Sequence, residues 1–184
     1  MAKSRFRPNV KVRIASPNHY SPRGTAPSLI VLHSTESHNR PGTGDLEAIG
    51  HLFASRSFEA SSHVSTDADG NSGRWVDDSA AAWTQAAYNR MSLSIEQIGF
   101  ASQGKWAEAE LKETARWIAR WSHRHGIPIR KAWTASGRVI RSGVTTHAKL
   151  GAAGGSHTDP GSGYPLGHVL DLARRYKKEL RAAT

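Results

Sequence analysis

A glycine-rich stretch from Gly143 to Gly161 carries the side chains with the clearest capacity for chemistry: His147, His157 and Asp159. Imidazole nitrogen and carboxylate oxygen are both good zinc ligands, and a catalytic zinc ion needs only three protein ligands beside an open position. The stretch offers at most three. If one of them has another task, a further ligand must come from elsewhere in the chain. The alternative interpretation is a solvated turn, because Asp-Pro-Gly is an ordinary turn sequence.

No helical or strand periodicity runs through this stretch, which predicts a loop. A loop this polar needs an anchor other than a packed apolar face, and a metal ion is the simplest one. The chain contains no cysteine. Disulfides, thiolate ligands and a cysteine nucleophile are therefore excluded, and any metal must be held by histidine and carboxylate groups.

Two further candidates lie on predicted strands. His33 ends the segment 28–33, whose four consecutive large aliphatic residues, 29–32, predict a strand buried on both faces. Sites in open α/β sheets form beyond the carboxyl ends of such strands, although a core histidine is the alternative. Glu96 shares a face with Ile98 in the apolar strand 92–100. A carboxylate there would be partly desolvated with a raised pKa, which suits a general base; the alternative is an edge glutamate in water.

Hydrophobic periodicity also predicts the scaffold that must position these residues. A hairpin is predicted for residues 62–77. Helices are predicted from Thr43 or Asp45 to about Arg56, from Trp106 to His125, and from about Pro165 to Leu180. Residues 127–142 are predicted to be basic and irregular, and a short edge strand is predicted at residues 11–14.

The composition indicates one domain with a strong positive charge. The chain has 184 residues, and its 25 Lys and Arg exceed its 15 Asp and Glu by ten. Such a charge favours an anionic partner: nucleic acid, an acidic membrane or an anionic wall polymer. The basic residues of the last helix form either a solvated face or a patch for such a polymer. No apolar run approaches the ~20 residues of a membrane span, and the start of the chain lacks a secretory signal.

Five short motifs occur in a characteristic order: Leu-Ile-Val-Leu-His-Ser-Thr at 29–35, Ser-Ser-His-Val at 61–64, Asn-x-x-Ser-x-Ser-Ile-Glu at 89–96, Thr-Thr-His at 145–147 and His-Thr-Asp-Pro-Gly at 157–161. In this combination the chain resembles the zinc-dependent N-acetylmuramoyl-L-alanine amidases of the peptidoglycan-recognition type (amidase type 2), which include many phage endolysins. The resemblance covers residues 28–172.

The resemblance implies a role for each candidate residue. His33, His147 and Asp159 match the ligands of a Zn²⁺ ion, and Asp159 stands where other members have cysteine. Glu96 matches a glutamate that some members place beside the metal-bound water, as a general base. His157 stands where many members carry a lysine that stabilises the developing oxyanion, and a histidine there can donate a hydrogen bond.

Two positions depart from the family pattern. Ser62 stands where some members have a catalytic tyrosine, and members with the glutamate do not need that tyrosine. Thr84 stands where a histidine is frequent, and we assign it no role.

The resemblance further implies an α/β fold with a mixed central β-sheet flanked by helices on both sides and the zinc in a groove at one sheet edge. Residues 1–27 are expected to form a basic N-terminal arm, and residues 28–184 a zinc amidase catalytic domain. The implied reaction is hydrolysis, by a zinc-activated water, of the amide bond between N-acetylmuramic acid and L-alanine in bacterial peptidoglycan.

Two other functions remain open at this point: a zinc peptidase that cuts within the stem peptide, and a non-catalytic protein that binds an anionic polymer, either cell wall or nucleic acid. The expected partner is bacterial peptidoglycan, without nucleic acid and without a membrane span, and the protein is expected to be a monomer. The missing signal peptide predicts synthesis in the host cytoplasm and action at the cell wall after release, as a phage endolysin.

Overall fold

A six-stranded sheet at the centre of the protein joins segments that are far apart in the sequence. The computed structural model describes residues 7–182. The strands are β1 (Val10–Arg13), β2 (His19–Tyr20), β3 (Leu29–Ser34), β4 (Val64–Thr66), β5 (Ser72–Arg74), β6 (Ala81–Ala82), β7 (Ser92–Gln97), β8 (Trp133–Ala135), β9 (Arg138–Arg141) and β10 (Gly143–Thr146). The helices are α1 (Gly44–Ala54), α2 (Glu108–His125) and α3 (Leu166–Ala182), with 3₁₀ segments at Arg56–Phe58, Ala86–Met91 and His147–Gly154.

The central sheet has the strand order β1-β5-β4-β7-β3-β10 and is mixed, as predicted. Strand β3 pairs in parallel with β7 on one side and with β10 on the other. Strands β4 and β5 form the predicted hairpin as an antiparallel pair. All six residues of β3 are buried, which confirms the doubly buried strand indicated by its run of aliphatic residues.

Side-chain alternation along β4 shows which helices cover each face of the sheet. Thr66 faces α2, where its hydroxyl oxygen lies 3.2 Å from that of Thr114. Ser65 faces the other way and accepts a 2.8 Å hydrogen bond from Trp75 Nε1. The ring of Trp75 packs against Phe53 of α1. Because α3 shares the core cluster of α2, these two helices cover one face and α1 covers the other, as predicted.

Two segments differ from the sequence prediction. The stretch from Gly143 to Gly161 was predicted to be a loop without helix or strand, which is wrong, because Gly143–Thr146 form the buried edge strand β10 and His147–Gly154 form a 3₁₀ segment. Four residues are too few to show a period, and pairing with β3 decides their conformation. Residues 133–141, predicted to be irregular, form the β8-β9 hairpin. Most of their side chains are exposed or half-buried, so their hydrophobic alternation is weak.

The predicted N-terminal arm is tied to the core over the part that the structure describes, and residues 1–6 lie outside that part. Residues Val10–Arg13 form β1, at the sheet edge opposite β10. Arg23 is buried, and burial lowers its pKa to about 10, so it stays charged at neutral pH. Its guanidinium donates hydrogen bonds to the backbone carbonyl oxygens of Asp78, Ala80, Arg90 and Ser92.

Candidate metal centre and active site

Three side chains from separate parts of the chain meet at the carboxyl ends of β3 and β10. The strands pair with Leu32 opposite Thr146, so that the next residue of each, His33 and His147, are neighbours. His33 Nδ1 lies 3.0 Å from His147 Nδ1 and 3.4 Å from Asp159 Oδ2. His147 Nδ1 lies 3.0 Å from Asp159 Oδ1. The structure therefore brings together the three residues predicted as metal ligands.

The ring of His33 is oriented by Gln85, a residue that the sequence analysis did not single out. His33 Nε2 lies 3.1 Å from Gln85 Oε1. Ser92 determines which atom of the Gln85 amide faces His33. The Ser92 hydroxyl donates its only proton to the Tyr88 carbonyl oxygen at 2.6 Å, so it must accept a hydrogen bond from Gln85 Nε2, which leaves Oε1 to face His33. Burial lowers the pKa of His33 to about 4. The ring is therefore neutral at pH 7, with its proton on Nε2 and a lone pair on Nδ1.

The ring of His147 is oriented by its own loop. His147 Nε2 donates to the carbonyl oxygen of Gly154 at 2.7 Å. Because a carbonyl oxygen can only accept, Nε2 carries a proton, and Nδ1 is the ring nitrogen left to face Asp159 and to ligate a metal. Both histidines thus turn Nδ1 towards the same point.

Asp159 supplies the negative charge of the cluster. Burial opposes ionisation of its carboxyl, but the contacts with His147 and His33 outweigh burial and hold the pKa of Asp159 far below its ordinary value. Its Oδ2 also accepts a 3.3 Å hydrogen bond from the backbone N–H of Ser34. The carboxylate is therefore ionised at neutral pH and fixed in place.

Two imidazole Nδ1 atoms and an ionised carboxylate that converge on one point can hold a cation. The three ligand atoms lie within 4.8 Å of one another and belong to buried residues. Two imidazoles and one carboxylate form a donor set suited to catalytic zinc with one open position. Metal-ligating histidines typically donate their other N–H to an oxygen acceptor, as both rings do here. The residues present therefore fit a zinc ion.

Glu96 lies beside this cluster on β7, directly opposite His33 in the parallel ladder. Its Oε1 lies 4.0 Å from His33 Nδ1. Its Oε2 is buried and has no hydrogen-bond partner within residues 7–182. Burial, together with the negative charges of Asp159 and Glu36, raises the pKa of Glu96 to about 8. A cation in the cluster would favour its ionised form, so that this carboxyl can both take up and release a proton.

His157 lies over the cluster, outside the three converging ligands. Its ring stacks on that of His147, with centroids 4.3 Å apart and planes inclined by 16°. Its Nδ1 lies 3.8 Å from Asp159 Oδ1, and 60% of the side chain is exposed. The ring is therefore accessible to a substrate bound above the metal ligands.

Two cavities meet at His157 and Glu36, which line both of them. The first, which we call the apolar arm, has a volume of about 360 Å³ and contains the cluster of His33, His147 and Asp159. The second, the basic arm, has a volume of about 1020 Å³ and lies beside β10 and the β8-β9 hairpin. The walls of the apolar arm include Ile49, Leu52, Phe53, Phe58 and Trp83, and those of the basic arm include Lys131, Trp133, Thr146 and Lys149.

A Gln85→Leu variant is expected to bind zinc about 10- to 100-fold more weakly, the usual effect of removing an outer hydrogen-bond partner of a ligand histidine. Leucine fills a similar volume but cannot accept the His33 Nε2 proton, so nothing fixes the tautomer. Gln85→Glu keeps an acceptor and should retain most of the affinity. Titration against a competing chelator measures both. Wild-type affinity in Gln85→Leu would show that Gln85 does not orient His33.

The sequence of the chain decides its family. Residues 23–162, which are 140 of the 184 residues, match the family described as N-acetylmuramoyl-L-alanine amidase. The chain belongs to this amidase family. It is an enzyme that hydrolyses the amide bond between N-acetylmuramic acid and L-alanine in peptidoglycan. This confirms the predicted reaction.

Solved structures share the fold of the amidase. The Staphylococcus aureus hydrolase AmiA, solved with its ligand, is 18% identical with a TM-score of 0.71, over 96% of this chain and 86% of AmiA. AmpD is 21% identical with a TM-score of 0.67, over 88% of this chain and 93% of AmpD. The endolysin amidase LysCS from Clostridium intestinale is 14% identical with a TM-score of 0.65, over 91% of this chain and 97% of LysCS. No curated protein matches the sequence of the amidase.

The described helices of the amidase can be compared with the requirements of a membrane-spanning helix. Over residues 7–182, none of them combines the length and the apolar composition that crossing a bilayer requires. This agrees with the sequence prediction of no membrane span.

Proposed function

We propose that this amidase is a zinc enzyme in which His33, His147 and Asp159 hold the metal and Glu96 is the general base. The observation that carries the proposal is the convergence of two imidazole Nδ1 atoms and an ionised carboxylate on one point. Zinc bound there would act as a Lewis acid towards the scissile carbonyl and would lower the pKa of a water molecule.

The chain's own groups would carry the proton. Glu96 Oε2 is buried beside the ligands without a partner, so it can accept the proton of the attacking water. The same carboxyl can then deliver that proton to the nitrogen of the leaving L-alanine. Its raised pKa in the absence of a cation supports this second role, because it favours the protonated form.

His157 would act on the substrate from its exposed position beside the metal ligands. Its exposed ring, held by stacking on His147, can donate a hydrogen bond to the carbonyl oxygen of the scissile amide. Charge develops on this oxygen in the transition state, so a donor placed there stabilises the transition state more than the ground state.

The biological role that we propose is that of a phage endolysin acting on the bacterial cell wall. The likeness to LysCS, which is described as an endolysin, supports this role. The net charge of +10 would favour association with an anionic wall. We further propose that the chain acts as a monomer without nucleic acid, and that it reaches the wall from the host cytoplasm.

Product analysis on purified peptidoglycan tests the proposal. The zinc-loaded enzyme is expected to create new amino termini that belong only to L-alanine, and to leave the muramic acid intact. A chelator should abolish this release, and added zinc should restore it. Release that continues in thorough metal depletion would exclude the zinc mechanism, and new amino termini of other residues would indicate cleavage within the stem peptide.

A further inference from the structure

The basic arm carries positive charge that the reaction itself does not use. Lys131 and Lys149 both line it, and Trp133 beside them is 60% exposed. Among the described residues, Glu36 is the one acidic side chain in its lining. Glu36 is already engaged, because its Oε1 accepts hydrogen bonds from Ser34 Oγ at 2.6 Å and from the Ala101 N–H at 2.8 Å. The ammonium groups therefore give the arm a net attraction for anions.

The apolar arm has the opposite character. No lysine or arginine is present among the described residues that line it. Leu52 and Phe58 on its wall are 42% and 40% exposed, and Trp83 lines the same cavity. Exposed apolar and aromatic side chains around a cleft are suited to a neutral ligand with apolar faces.

The substrate has the same asymmetry. The scissile amide joins an N-acetylated sugar, whose ring faces and acetyl methyl group are apolar, to a peptide that ends in a carboxylate and can carry others. The two halves leave the amide in different directions. The metal ligands lie in the apolar arm, and the basic arm joins it at His157 and Glu36, so a substrate with its amide at the metal ligands can extend one half into each arm.

We propose that the basic arm binds the peptide half of the substrate, with Lys131 and Lys149 pairing with its free carboxylates, while the sugar lies in the apolar arm. This inference deepens the proposed function and rests on it for the position of the scissile amide. It makes these lysines specificity-determining residues: the enzyme prefers stem peptides with free carboxylates over peptides whose carboxylates are amidated.

The edge of β10 offers the peptide a backbone partner in the same arm. Val144 uses both of its outward groups, since its N–H donates to Arg130 O and its C=O accepts from Ala132 N, each at 2.8 Å. The segment that contacts Val144 continues after Ala132 as strand β8, which pairs with β9 and no longer runs beside β10. Thr146, two residues after Val144, points its backbone groups the same way and lines the basic arm. The Thr146 carbonyl oxygen accepts only a 3.4 Å hydrogen bond from the neighbouring Thr145 hydroxyl, and a carbonyl oxygen can accept a second one from an extended peptide at the strand edge.

The test uses a double variant that reverses both charges, Lys131→Glu with Lys149→Glu, and a control with the same change in net charge, Lys11→Glu with Lys178→Glu. Lys11 and Lys178 are exposed and lie outside the arm. Binding of the product peptide, which begins with L-alanine and carries free carboxylates, is measured on the metal-free proteins by calorimetry. The arm variant is expected to raise Kd about tenfold, as reversal of two solvent-exposed charge pairs permits. The control should match wild type.

Kinetics on soluble muramoyl peptides gives the second measurement. On the substrate with free carboxylates, the arm variant should raise KM about tenfold with kcat little changed. On the amidated substrate its KM should match that of wild type, and its zinc affinity should be unaltered.

An equal rise in KM on both substrates, or an equal effect of the control variant, would overturn the assignment of the arm. An unchanged Kd in the arm variant would overturn it as well. If the zinc-loaded enzyme released no L-alanine termini, the proposed mechanism would fail. Peptide binding to the metal-free protein would still show whether the basic arm binds the peptide.

Discussion

Glu96→Gln is expected to lower kcat/KM for wall hydrolysis by about 100- to 10,000-fold, the range that a positioned general base contributes. Glutamine has the shape of glutamate but cannot take a proton from the attacking water. Glu96 lies outside the three converging ligands, so the variant should bind zinc as the wild type does. Turbidity loss of purified walls measures the rate, and metal analysis of the same samples measures the zinc.

Glu110→Gln is the matched control for this experiment. Glu110 is also a buried glutamate, and burial raises its pKa well above the ordinary value, which favours the protonated form that glutamine resembles. It lies on α2, outside both arms of the cleft. The control should keep its activity. Normal lysis by Glu96→Gln would show that Glu96 is not the general base. An equal loss of activity in Glu110→Gln would show that the loss comes from a disturbed fold.

Asp159→Ala is expected to release the metal and, with it, the activity. Four ligands in a structural zinc site contribute about 10–16 kcal/mol, so one ligand corresponds to about 3 kcal/mol, or roughly a hundredfold in affinity. The loss should exceed this average, because Asp159 supplies the one negative charge among the three ligands. Competition with a chelator of known affinity gives the zinc Kd, and circular dichroism reports whether the fold persists.

Asp171→Ala removes a carboxylate of the same type from the exposed side of α3, where it pairs with Arg174. This control should bind one zinc ion per chain with wild-type affinity. If Asp159→Ala also kept one tightly bound zinc per chain, Asp159 would not be a ligand, and the metal would have to lie elsewhere.

The convergence of His33 with Glu96 illustrates what the sequence can predict. Each lies on a segment whose apolar residues indicate a buried strand, and such strands belong in the middle of a helix-covered sheet. Parallel pairing of β3 and β7 then places the two residues opposite each other. The order of the family motifs adds His147 and Asp159, because a motif carries a position in the fold that periodicity alone does not.

Gln85 shows what the sequence analysis could not supply. Its importance comes from a chain of hydrogen bonds through Ser92 to the Tyr88 carbonyl, which fixes the direction of one amide group. No local sequence pattern indicates such a series of hydrogen bonds. The sequence analysis also assigned no role to the neighbouring Thr84. The strand β10 was missed for a related reason, since its four residues become a strand only through pairing with β3.

The loop after β10 restricts which substitutions this enzyme can accept, even at a position that contacts neither the substrate nor the metal. The carbonyl of Gly154 orients His147, and a Cβ on Gly154 would lie 2.3 Å from Leu150 Cβ. Leu150 cannot yield, because it packs beneath β3 against Leu29 and Val31. Any substitution of Gly154 would therefore displace the backbone, and the carbonyl oxygen that orients the ligand His147 would move with it. In a survey of variants for activity, Gly154 should be among the positions that tolerate the fewest substitutions.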